Sequence, residues 1–193
     1  MKFTTLSMFV GVMTLQVAAG QTPVTSSELF LLRISEAQVS MRPTAGPNNV
    51  SNCMIVYPDG RLHLELRRQE FLNGKASLAS YEARLSNQEL TSLRSVLDSD
   101  SVRNLHVFPP PKVPLAVDAW GAFVAEIQRQ TDVEKVGAFT WQGAGPKNSE
   151  EDKSEWKDAG LALQPLIEWS HSVKGHRTPE WRTTRNANSV CGQ

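Results

Sequence analysis

The chain has 193 residues, of which 20 are Lys or Arg and 20 are Asp or Glu, and 40% are hydrophobic. So even a charge balance argues against a nucleic-acid partner, which needs a basic stripe to displace counterions, and against a membrane-surface role driven by charge. Past the first twenty residues no segment is long and apolar enough to span a bilayer.

Those first twenty residues have the three parts of an export signal. Met1 and Lys2 make a short cationic start, an apolar run reaches from Leu6 to Ala18, and the small residues Ala18, Ala19 and Gly20 close it. The run falls short of the roughly 20 apolar residues a span requires. Residues 1–20 are therefore expected to be a cleaved signal peptide, and the mature chain to work in a periplasm or outside the cell, with no membrane span. Residues 21–27 read as a leader, 28–175 as a single domain, and 176–193 as a polar tail. Only two cysteines occur, Cys53 and Cys191. In an oxidising compartment such a pair usually joins, which would tether the tail.

Within the domain, alternation of Phe30, Leu32 and Ile34 with Leu31, Arg33 and Ser35 predicts a first strand over 28–36. Residues 41–52 are rich in Pro, Gly and Asn and read as a loop. A hairpin follows: strand 53–57, the turn Tyr57-Pro58-Asp59-Gly60, and a return strand 61–71. On the return strand Leu62, Leu64 and Leu66 share one face, and His63, Glu65 and Arg67 share the other, which reads as solvated. Asn73-Gly74 marks another reversal, into a strand over 77–85.

Ser86-Asn87-Gln88-Glu89 has the form of a capping box, opening a helix to about Asp98 whose stripe is Leu90, Leu93, Val96 and Leu97. Residues 99–118 read as irregular, with Pro109, Pro110, Pro111 and Pro114 keeping the middle extended. A second hairpin pairs 119–129 with 134–141. Setting Arg129 opposite Glu134 puts Phe123, Ala125, Ile127, Val136 and Ala138 on one face. A last helix over 155–174 buries Trp156, Leu163, Leu166, Ile167 and Val173, and Pro165 is expected to kink or split it. Together these elements predict an α+β fold: an antiparallel sheet of five or six strands, in two hairpins, with two helices on one face.

Sites of chemistry are sparse. There is no G-x-S-x-G turn for a serine nucleophile and no Lys-Ser/Thr ending to the glycines at 143–145. Carboxylates at 150–158 suit a helix N-terminus better than a calcium loop. The sequence thus predicts no cofactor and no metal, although His63 and Glu65, two apart on a strand, point the same way. The favoured reading is a non-enzymatic exported binding or interaction module, partnered by another exported or envelope protein. Its expected surfaces are His63, Glu65 and Arg67, and the extended segment at Pro110, Pro111 and Lys112, which loses little entropy on docking. The alternatives are a small hydrolase using His63 with Glu65 or Asp59, and an inhibitor presenting the proline segment to a secreted enzyme.

Overall fold

The computed structural model describes residues 29–40, 49–69, 76–105, 117–143, 150–177, 181–182 and 191. Six long strands and a two-residue seventh form one antiparallel sheet: β1 (Leu32–Ser40), β2 (Asn49–Val56), β3 (Arg61–Gln69), β4 (Ala76–Arg84), β5 (Val117–Arg129), β6 (Asp132–Gly143) and β7 (Trp181–Arg182). Their order is β6-β5-β1-β2-β3-β4-β7, so the sheet stays open. Its strands come from two meanders joined at β1, which pairs with both β2 and β5. Three helices complete the α+β fold: α1 (Asn87–Leu97), α2 (Asp100–Arg103) and α3 (Glu150–Gly175). The expected signal peptide, the leader, the Asn73-Gly74 reversal, and Pro110, Pro111 and Lys112 lie outside the described residues.

Register decides which face each strand residue takes. Leu32 pairs with Val56 and Ile127, Ile34 with Met54 and Ala125, and Met54 with Leu64. All of these are buried, in one core with Leu93 and Leu97 of α1 and Leu163 and Leu166 of α3. The first hairpin turns as its sequence dictates. The Gly60 amide donates to the Tyr57 carbonyl at 3.0 Å, and Gly60 sits at φ 84°, a conformation that only glycine adopts without strain.

The second hairpin is tighter than expected, with Arg129 opposite Asp132 and Ala125 opposite Val136. A shift of two residues keeps every side chain on its own face, so Phe123, Ala125, Ile127, Val136 and Ala138 are all buried as their alternation requires. Alternation fixes the face, while the turn alone fixes the pairing. Helix α2 occupies four residues of a stretch expected to be irregular, and buries Val102.

Helix α3 is longer than expected and continuous through Pro165, which is exposed. It starts at Glu150 because the acidic run suits the positive end of a helix dipole. Trp156, Ala159, Leu163, Leu166, Trp169 and Val173 recur at spacings of three and four and form its buried stripe.

The two long helices are fastened by a charged clasp. The Ser86 hydroxyl accepts from the Glu89 amide at 3.2 Å, and the Glu89 carboxylate accepts from the Ser86 amide at 2.7 Å, completing the capping box. The same carboxylate accepts from the Arg177 guanidinium at 3.0 and 3.2 Å, and the Glu89 carbonyl accepts from the Trp169 indole. Arg177, just past α3, is thereby drawn onto α1. The Arg177 guanidinium, followed by the Ser86 amide and against some burial, holds the Glu89 carboxyl down from 4.5 to about 2. A depressed carboxyl stabilises the fold fully above its unfolded pKa, and that contribution is lost as pH falls from about 4.5 toward 2. Glu89→Gln keeps the cap oxygen but not the charge. Acid titration of urea midpoints should show it on the order of 1–2 kcal/mol less stable than wild type at pH 7, after allowance for the partial exposure of the pair, with the gap narrowing as pH falls from about 4.5 and closing below about 2. A constant gap across pH would mean that the charge contributes nothing.

Candidate functional site

The sheet face turned away from the helices carries a polar cluster on β3 and β4. Residues 63 and 65 lie side by side on β3, Cys53 of β2 is in register with Glu65, and Glu82 of β4 is in register with His63. The His63 Nε2 atom is 3.0 Å from Glu65 Oε1, and its Nδ1 makes a short contact with Glu82 Oε1. Cys53 is bonded to Cys191, with Cα atoms 6.2 Å apart. His63 and Glu65 retain only 6% and 5% of their exposure, and Cys53 and Ile55 3% each. The face expected to be wet is therefore closed at its centre, where the tail is covalently attached. Glu65, and to a lesser extent Glu82, hold the His63 imidazole above its ordinary pKa, against the opposing effect of burial.

Of the residues expected at a site, the structure brings His63, Glu65, Cys53 and Cys191 together. Arg67 is half-buried farther along β3. Asp59 is not part of the cluster: it stays in its exposed turn, accepting from the Arg61 guanidinium at 2.9 Å. Glu82 was not singled out by its sequence, because it is brought to His63 by the pairing of β3 with β4 rather than by any local motif.

The helix face holds a second feature that no motif announced. A cleft of about 740 Å³ opens between α3 and the β1, β5 and β6 part of the sheet. Phe123, Phe139, Trp141, Trp156, Leu161 and Ile167 give it apolar walls, and Lys153 and Lys157 stand along its α3 side. The Trp156 ring packs edge-on against Phe139 and Trp141, with centroids 6.0 and 5.8 Å apart. Lys153 pairs with Glu150 at 2.6 Å, and the carboxylate of that pair is exposed to solvent. At one end of the cleft, Glu36 of β1 accepts from Lys174, from Asn52 at 3.2 Å, and from His171 at 2.8 Å, which locks α3 over β1. Burial alone would raise the Glu36 pKa, but Lys174, His171 and Asn52 together hold it below the usual range.

A smaller cavity of about 500 Å³, beside Leu97 and Gln130, is lined by charges that satisfy one another: Arg129 with Glu134 at 2.9 Å and Arg103 with Asp98 at 2.8 Å. His63 lines neither of these two cavities. No protein-family model matches the chain, and no curated protein matches it.

Proposed function

We propose that the protein is an exported, non-enzymatic binding module, and that the cleft between α3 and the β1–β5–β6 half of the sheet holds a small ligand with an apolar body and an anionic group. The cleft carries this reading. Its volume falls within the roughly 300–1,000 Å³ usual for small-molecule sites, and its walls are mostly aromatic and aliphatic with a few polar groups at the margin. Lys157 supports the anionic group: it is exposed and makes no ion pair with a described residue. The bonded cysteines are compatible with export, and among the described residues no helix is long and apolar enough to cross a membrane.

The test uses 1-anilinonaphthalene-8-sulfonate, which joins an aromatic body to a sulfonate. It should bind the folded chain saturably at one site with enhanced emission. Gly160 lies on the α3 wall, where an added side chain enters the cleft close to Ala138. Gly160→Leu should weaken the probe by about tenfold or more, equivalent to at least about 1.4 kcal/mol. Lys157→Glu should weaken the sulfonate but not the uncharged N-phenyl-1-naphthylamine. Equal affinity for wild type and Gly160→Leu, with both folded, would remove the cleft as the binding site.

A further inference from the structure

The outer-face cluster contains a donor set that lies apart from the cleft. One ligand atom each from His63, Glu65 and Cys191 lie within 4.8 Å of one another, and Cys53 sulfur is bonded to that of Cys191. Two sulfurs, an imidazole nitrogen and a carboxylate oxygen make a four-ligand set suited to a borderline divalent cation. In a tetrahedral zinc centre, bonds of about 2.0–2.3 Å place neighbouring ligand atoms roughly 3.3–3.8 Å apart. The His63, Glu65 and Cys191 atoms need closure by up to about 1–1.5 Å to reach that geometry, and the Cys53 and Cys191 sulfurs must move apart to it once their bond is broken. Three of the ligands are fixed on paired strands, and the fourth arrives on the tail.

The surroundings fit as well. His63 turns Nδ1 to Glu82 and so presents Nε2 to the cluster. A histidine ligand held by a carboxylate through its far nitrogen is the usual support for a metal-bound imidazole. As a mere cover for a disulfide, a buried histidine between two carboxylates is a poor choice, since apolar residues of similar volume avoid the desolvation penalty.

We propose that once the Cys53–Cys191 bond is reduced, Cys53, His63, Glu65 and Cys191 bind one Zn²⁺, so that the disulfide and the metal are alternative fastenings of the same tail. The exchange needs a dithiol reductant. Its two thiols give two electrons and two protons to the protein disulfide, forming a new disulfide in the reductant and two thiols in the protein. Zn²⁺ then displaces both thiol protons, because only the thiolate is a good ligand. The Nε2 atom of His63 binds without its proton, and Nδ1–H remains directed at Glu82. While the disulfide is intact neither sulfur is a thiolate, so the two states exclude each other.

The full chain, reduced anaerobically and freed of reductant, is titrated with Co²⁺ as a spectroscopic probe. One equivalent should bind, with the visible bands of a tetrahedral centre and thiolate-to-cobalt charge transfer, and Zn²⁺ should displace it. The oxidised chain should give neither signal. His63→Ala and Glu65→Gln should each weaken the reduced chain's affinity by about tenfold or more, and Glu82→Gln, which touches no metal, by about tenfold. Far-ultraviolet circular dichroism follows the fold throughout, and Zn²⁺ should raise the melting temperature of the reduced chain. The proposal is overturned by equal cobalt binding in the two redox states, by binding that ignores the His63 and Glu65 substitutions, or by a reduced chain that loses its sheet and does not recover it with metal.

Discussion

In metal-free buffer, the double substitution Cys53→Ser, Cys191→Ser is expected to lower stability by about 4 kcal/mol, with about 5 as the ceiling from loop closure. The bond spans 138 positions, so it removes a large share of the freedom of the unfolded chain. A second contribution comes from the folded side. The bond holds Cys191 over the centre of the outer face, where Cys53, Ile55, His63 and Glu65 are buried. Releasing it allows water to reach an ion-paired cluster and one apolar residue. For a domain of this size the melting point should drop by roughly 8–16 °C, at about 2–4 °C per kcal/mol. Urea unfolding of the two forms measures this directly, with the slope of each transition reporting any change in compactness. A loss below about 1 kcal/mol would mean that the tail is fastened by other contacts and that the bond is dispensable to the fold.

Local chemistry made most of the fold readable in the sequence. Tyr57-Pro58-Asp59-Gly60 and Ser86-Asn87-Gln88-Glu89 specify a turn and a cap through contacts within four residues, and both form as read. The alternation of Phe123, Ala125 and Ile127 identified a buried face even though the pairing was two residues off. What stayed hidden depends on distance along the chain. His63 and Glu65 alternate with leucines just as solvated residues do, and nothing nearby records that Cys191 will be bonded beside them. Glu36 meets Lys174 and Glu89 meets Arg177 across the whole domain, although each looks like an ordinary surface charge in its own segment. The cleft was equally hidden, since it is a space left between α3 and three strands rather than a property of any one of them.

Trp156→Ala is expected to cost the fold about 3–5 kcal/mol, the range for deleting a large aromatic from a packed interior. Trp156 is 1% exposed and, among the described residues, the largest of the fully buried side chains. Its ring is also the meeting point of two others, Phe139 and Trp141 on β6, so truncation removes two edge-on contacts as well as apolar burial. By comparison, the charge at Glu89 contributes on the order of 1–2 kcal/mol and is weakened by acid, whereas the Trp156 loss should be nearly independent of pH. Because Trp156 lines the cleft, the substitution joins stability to binding. The space vacated by the indole opens into the cleft and is lined by apolar side chains. Free indole should therefore enter it and raise the variant's urea midpoint in a concentration-dependent manner, as any ligand selective for the native state does. Wild type has its own ring in that place and should respond far less. Rescue of the variant alone would establish that cleft and core are one continuous apolar space. Without rescue, the wall would have collapsed onto the missing ring, and the cleft would owe its shape to Trp156 itself.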